Sequence, residues 1–361
     1  MKKLLRPSIL WLFIFIPITL VLDKLDTNDS LIFFSAALSI IPIAKLIGEA
    51  TENLAHYTGD AIGGLLNATF GNAPELIIAI IALHAGLYDM VRASIIGAIL
   101  ANLLLATGVA FFVGGLKHHD QDYNPVSVRV YNSMMFIAIC SLIIPSAFGR
   151  FFGGEEMYAQ NAQSLNVGLA ISLLIAYILY LFFMIKTHPD FFKSSQHEEK
   201  VEEHKHWSKA KAIGILTGAS VGAAFMSEIL VGAAEGTGKE LGMSSAFIGI
   251  VFVAIIGGAA ESLSAISMAA KNKVDLTMGI AMGSSIQIAL FVAPLLVLLS
   301  FAIGPQSLFL TFKRAETGAV LMAVLLTAVL AGDGRSNWFK GIQLLTLYLL
   351  IALLFYFIPE N

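Results

Sequence analysis

The sequence predicts an all-α polytopic membrane protein with 11 transmembrane helices: one N-terminal helix, then two inverted five-helix repeats. Three observations predict it. Hydrophobic residues fill 57% of the 361 positions and charged residues only 13%, where a soluble domain carries about 25% charged residues. Apolar windows of the length an α-helix needs to cross a bilayer recur along the whole chain. Several short motifs also appear twice, in the same order, in the two halves. A net charge of −3 leaves no basic footprint for nucleic acid.

The first helix covers 8–22. Its charged start and apolar run imitate a signal peptide, but no small-residue cleavage site follows and Pro17 interrupts the run. It reads as a retained span. The first repeat follows as 31–55, 61–84, 91–115, 130–149 and 165–187. The second comprises 209–236, 244–270, 275–302, 315–332 and 338–358. The organisation is therefore an N-terminal helix (1–29), a first repeat (30–187), a polar linker (188–208) and a second repeat (209–361). The linker holds Glu198, Glu199, Glu202 and Glu203 among His197, His204 and His206. It reads as a solvated tether, or as a cytoplasmic sensor of cations or pH, since imidazole and carboxylate both bind divalent metals.

Charge sets the orientation. With the N-terminus in the cytoplasm and the C-terminus outside, 15 of the 22 Lys and Arg residues fall inside, among them Lys2, Lys3, Arg6, Lys117, Lys271 and Lys273. Six fall outside: Lys24, Arg92, Arg150, Lys239, Lys313 and Arg314. Lys45 lies within a span. That asymmetry follows the positive-inside rule.

The repeated motifs locate the chemistry. "ATENLA" (50–55) matches "MSEILV" (226–231), "GNAPELIIAI" (71–80) matches "GGAAESLSAI" (257–266), and "GAILANLLLA" (97–106) matches the stretch around "GSSIQIALF" (283–291). Five helices per repeat is an odd number, so the second copy enters the membrane inverted. Inverted repeats characterise transporters, with the site at the repeat interface near the midplane. Ionisable residues inside a membrane are rare and mark ion paths or proton relays. Glu75 and Glu261 are the leading candidates, because inversion brings both to the midplane. Pro74 near Gly71, and the pair Gly257 and Gly258, are expected to break the two helices there. Carbonyls freed by the breaks, with Asn72, Asn102, Gln287, Ser284 and Ser285, complete an all-oxygen shell suited to a hard divalent cation such as Ca2+. Two carboxylates about 5 Å apart repel by roughly 3 kcal/mol at an effective dielectric near 20. The empty pair therefore holds a proton that a divalent cation displaces, which is the logic of antiport. Glu52 and Glu228 read as lining the two access routes or relaying protons, with Glu49 and Glu235 nearby. His56 and His84 read as interfacial, Met226, Met268 and Met282 as packing, and Cys140 as a small core residue. Na+ or K+ as counter-ion, Mn2+ as substrate, and a channel in place of an antiporter are the alternatives. An intramembrane metalloenzyme is disfavoured, because no span holds a His-rich or Cys-containing ligand set.

These motifs, with "GGLLNATF" upstream, resemble the cation/proton exchanger (CAX) family of the calcium/cation antiporter superfamily. "ATENLA", "GAILANLLLATG", "MSEILVGAAE" and "GSSIQIALFVAP" fall in family order, so the resemblance covers nearly the whole chain. It implies export of Ca2+ in exchange for H+, with Glu75 and Glu261 as the central carboxylates. Asn72, Asn102, Ser284 and Gln287 would be polar site residues, and Glu52 and Glu228 would line the cavities. No cofactor is implied beyond Ca2+ as transported substrate. Similarity to bacterial relatives implies a homo-oligomer, specifically a homotrimer. Pro74 departs from the family, many members of which carry valine or threonine there; "PE" resembles sodium/calcium exchangers instead. Those relatives tend to carry an extra acid in the region where this chain has Gln287.

Overall fold

The computed structural model describes residues 9–151, 154–192 and 207–358. Lys2, Lys3, Arg6 and the linker acids and histidines from 197 to 206 lie outside the described residues. A 3-10 segment, Ile9–Ile14, leads into α1 (Phe15–Lys24). Then come α2 (Asp29–Phe70), α3 (Ala73–His84), α4 (Tyr88–His118), α5 (Pro125–Phe151) and α6 (Gly154–Phe182). The second half contains α7 (Lys209–Leu241), α8 (Ser245–Gly257), α9 (Ala259–Ala270), α10 (Val274–Ile303), α11 (Arg314–Ala331) and α12 (Trp338–Phe357). Two short strands, β1 (Asp120–Asp122) and β2 (Arg335–Asn337), pair antiparallel. Among the described residues, eight helices are long and apolar enough to cross a membrane, or nine if α8 and α9, bent by 60°, count as one span.

One element departs from expectation. The polar stretch 56–60 predicts a break, yet α2 is helical without interruption from Asp29 to Phe70. The chain nevertheless turns back on itself there. A Cβ built on Gly63 would lie 2.9 Å from the Ala55 carbonyl oxygen. In a straight helix, residues eight apart are separated by about 12 Å along the axis. The predicted reversal is present as a tight helical bend in place of a loop.

Burial ranks the helices. In α4, 83% of the most apolar window is buried, against 61% for α2 and 56% for α10; α6, α7 and α12 bury 28% or less. The centre of the bundle thus lies along α4, with α2 and α10 next. Small residues let neighbouring backbones approach α4 closely, as in other membrane bundles. Gly97 meets the backbone of Ile250, and Ala93 faces Gly249, where α4 crosses α8. On the same helix, a Cβ on Gly341 of α12 would lie 2.6 Å from the Gly108 carbonyl.

The loops sort to two ends. At one, Ser30 donates to Glu240 across 2.6 Å and Tyr88 donates to the Gln306 carbonyl across 2.9 Å. At the other, β1 pairs with β2, and the Asn124 amide donates to Asp275 across 2.6 Å. Trp207 N–H donates to Asn53 across 2.8 Å at that same end. Tyr123, also there, donates its hydroxyl to the Ala331 carbonyl. Burial, then the neighbouring Asp333 and Asp275, hold its phenol well above the usual range, so it stays a donor.

Cys140 is exposed on α5 and is not the core residue expected. Lipid-facing and core-facing positions of a membrane helix are equally apolar, so hydrophobicity does not separate them.

The close α4–α12 contact makes a test. Gly341→Ala should destabilise the detergent-solubilised protein by about 1–3 kcal/mol through overpacking. Gly318→Ala, where nothing lies within 4 Å, should leave thermal unfolding unchanged.

Candidate cation-binding site

Two helix breaks of the same shape build the site. α2 ends at Phe70, Gly71 and Asn72 turn, and α3 starts at Ala73. α8 ends at Gly257, Gly258 turns, and α9 starts at Ala259. The two residues that precede the new helices have similar backbones: Asn72 at φ −96°, ψ 26° and Gly258 at φ −81°, ψ 8°. Each break is followed by the same first intrahelical bond, from Leu76 N–H to the Asn72 carbonyl (3.0 Å) and from Ser262 N–H to the Gly258 carbonyl (2.9 Å). Glu75 and Glu261 are therefore each the third residue of a new helix. Pro74, second in α3, removes no intrahelical bond, because first-turn amides have no partner within the helix anyway.

The side chains interlock across the two breaks. Asn72 Nδ2 donates to Gln287 Oε1. Ser284 Oγ lies 2.6 Å from Asn72 Oδ1 and also hydrogen-bonds with Glu261 Oε2. A hydroxyl has one proton, and Asn72 Oδ1 is an acceptor only. All three contacts are satisfied together when Glu261 carries a proton and donates it to Ser284, Ser284 donates to Asn72, and Asn72 donates to Gln287. The break before α3 is thereby tied to the carboxyl carried by α9.

Glu75 sits differently. Both its carboxyl oxygens are buried, and neither has a hydrogen-bond partner. Its Cγ would be 2.8 Å from a Cβ on Gly257, and its Oε1 would be 3.5 Å from one on Gly258. Asn102 Oδ1 would lie 3.7 Å from the same Gly258 position, which places the amide at the mouth of the second break. A small cavity of about 10 Å3 adjoins Glu75, walled by Ser94, Ala98, Val253 and Ala254 among others. A buried, unpartnered carboxyl is costly unless it binds a proton or a cation.

Asn102 and Gln287 share one further feature that sequence reasoning missed. Asn102 falls in a π-helical segment of α4, Ala101–Ala106, and Gln287 immediately precedes one in α10, Ile288–Val292. Such widened turns recur at functional sites. The Thr107 hydroxyl donates to the Asn102 carbonyl across 2.8 Å inside the first. The apolar composition of both stretches carries no signal for a π turn.

Six predicted residues thus come together: Glu75, Glu261, Asn72, Asn102, Ser284 and Gln287. Ser285 instead donates to the Ala281 carbonyl of its own helix. Glu52 and Glu228 are exposed on α2 and α7, away from this network. Glu49 pairs with Lys45 at 3.7 Å and Glu235 with Lys239 at 2.8 Å. His56 and His84 are exposed. Among the described residues, no group of three or more His, Cys, Asp or Glu side chains is placed to hold a metal. Any cation at this centre would rely on two carboxyls plus neutral oxygens.

Known proteins match this chain along most of its length. The sodium/calcium exchanger protein family matches it in two stretches, residues 29–186 and 211–357. The chain is 40% identical over 368 residues to the Ca2+/H+ antiporter of Synechocystis sp., covering 96% of each chain. It is 41% identical over 348 residues to the Ca2+/H+ antiporter ChaA of Bacillus subtilis, covering 94% of this chain and 96% of that one. The solved structure of native YfkE superposes with a TM-score of 0.82 at 37% identity, over 96% of this chain and 100% of that one.

The packing of Glu75 on the second break gives a comparison between two neighbouring glycines. Gly257→Ala, whose new methyl meets Glu75 Cγ, should weaken divalent-cation binding about tenfold in isothermal titration. Gly258→Ala, whose nearest contact would be 3.4 Å, should cost much less.

Proposed function

The chain belongs to the sodium/calcium exchanger protein family, among its cation/proton exchangers, and on that footing we propose that it is a secondary Ca2+/H+ antiporter exporting cytosolic Ca2+ against protons. One observation carries the reading: two glutamates occupy the same position after two helix breaks, and the carboxyl oxygens of one are buried without a hydrogen-bond partner. The names of the antiporters most similar to the chain support the choice of ions.

Ca2+ and protons compete for one centre. In the proton-loaded form, Glu261 donates into the chain through Ser284 and Asn72 to Gln287, and Glu75 holds a second proton. Arriving Ca2+ displaces these protons and takes the two carboxylates, with amide and hydroxyl oxygens from Asn72, Asn102, Gln287 and Ser284 completing a shell of hard donors. Releasing it requires protons in return. The doubly ionised, empty centre is disfavoured by mutual repulsion in a buried site, so the protein does not change access without cargo. Gln287, a neutral amide, leaves too few charges for an additional set of Na+ ions.

Eleven spans belong to this reading, as one N-terminal helix and two inverted five-helix repeats joined by a cytoplasmic 188–208 linker. The separate family matches in the two halves support the duplication, as do the paired breaks and paired π turns. The N-terminus lies in the cytoplasm and the C-terminus outside. Glu52 and Glu228 line the inner and outer access routes, and the assembly is a homotrimer.

Everted vesicles test the exchange. An imposed pH gradient should drive Ca2+ uptake without Na+; uptake driven by Na+ after the pH gradient is collapsed would overturn the assignment. Glu75→Gln and Glu261→Gln should each lower exchange by about a hundredfold or more with insertion intact, and near-normal transport by either would refute the two-carboxyl centre. Because protons are displaced on binding, apparent Ca2+ affinity should fall as pH falls, by up to about tenfold per pH unit for each proton released.

A further inference from the structure

The far end of α9, the helix that carries Glu261, is fastened by side chains from outside its own repeat. Gln121 of β1 is 1% exposed. Its Nε2 donates to the Ala269 carbonyl across 2.9 Å and to Asn272 Oδ1 across 2.8 Å. Lys117 Nζ donates to the Ala270 carbonyl across 2.8 Å, and His118 Nε2 lies 3.1 Å from that same oxygen. These are the C-terminal carbonyls that a helix cannot satisfy by itself. Asn272 offers its side chain from a left-handed backbone, φ 61°. Gly114 of α4 has no side chain where Gln121 Oε1 lies, and a Cβ there would collide with it.

The fastening has a direction. From Asn102 to Lys117, α4 runs beside α9. The two meet at the cation centre, where Asn102 faces Gly258, and again at the clamp 12 residues further along α9. Backbone amides of the following loop close the end of α3, which carries Glu75 (Ala85 to Ile81, Gly86 to Leu83 and Leu87 to Ala82), and likewise the end of α9 (Lys271 and Lys273 to Met268, and Asn272 to Ala269). At α9 the side chains of Lys117, His118 and Gln121 are added to that closure. A helix of 12 residues transmits an axial displacement along about 18 Å with little compression. Moving the α9 C-terminus along α4 therefore moves Glu261 relative to Asn102 and Ser284.

The geometry points to Gln121 as a positioning residue for cation and proton exchange, setting the axial register of α9 and so the placement of Glu261 against Asn102 and Ser284. This rests on the antiporter reading and deepens it: the residue touches neither ion and acts through the helix it holds.

Three substitutions reach the same contact from three sides. Gln121→Met keeps the length and loses both donated bonds. Gly114→Ala pushes the Gln121 amide out of place. Asn272→Gly tolerates the left-handed backbone but removes one of the two acceptors. In everted vesicles, Gln121→Met and Gly114→Ala should raise KM for Ca2+ about tenfold, the range of outer-shell partners of bound ions. They should leave kcat within about twofold and displace the pH at which protons halve Ca2+ uptake. Asn272→Gly should shift both quantities the same way by less. A lowered melting temperature in all three, with KM and the pH midpoint as in the parent, would make the clamp merely structural and overturn the proposal. If the parent exchanges no Ca2+ for protons, the antiporter reading itself fails. The register claim is then decided by amide hydrogen exchange on the purified parent and Gln121→Met. Faster exchange confined to residues 269–273 would refute transmission, and faster exchange reaching the Glu261 turn would support it.

Discussion

A carboxyl group buried inside a protein must find a proton, a cation or a set of donors, and the arrangement of this molecule follows from that demand. Glu261 has found a partner in Ser284. Glu75 has found none. Around this unequal pair, the helices break at Gly71 and Asn72 and at Gly258. Each break leaves unpaired polar groups that only buried protein or a lined cavity can accommodate. That is why the breaks sit beside α4, the most buried helix of the bundle.

The centre also explains the glycines and the π turns. Gly257 lies where a side chain would displace Glu75, and the small-residue crossing of α4 with α8 brings two backbones close above it. Widened turns in α4 and α10 fall at the amides that face this space. None of these features increases stability by itself: glycine costs helix stability and π turns are rare. Close approach to the centre accounts for Gly257 and for the turns at Asn102 and Gln287; a π turn also ends α6 at Phe183–Thr187, so such a turn does not by itself mark a site.

Span positions were legible because lipid demands long apolar runs and charge interrupts them; α7 begins at Lys209 as the pattern predicts. Glu75 and Glu261 stood out because a charge inside such a run is expensive. Less was legible where the deciding physics is not hydrophobic. The fold-back between Ala55 and Gly63 is a matter of backbone geometry, and the polar residues there suggested a loop. Pro74 suggested a lost hydrogen bond, yet at the second position of α3 it has none to lose. Cys140 reads as core in the sequence because lipid and protein interior attract the same side chains. The Gln121 clamp left no mark at all, since one glutamine in a polar loop looks like any other.

The two new helices also start at the centre, and this has an electrostatic consequence independent of any side chain. A helix N-terminus carries the equivalent of about half a positive charge and a C-terminus about half a negative one. α3 and α9 start where α2 and α8 end, so the four termini nearly cancel at the centre as a whole while differing from point to point within it. The amide ends of α3 and α9 ease the burial of the negative charge that each carries in its first turn, and the carbonyl ends of α2 and α8 favour a cation. The backbone thus serves both kinds of charge without adding a net field that would hold either one in place.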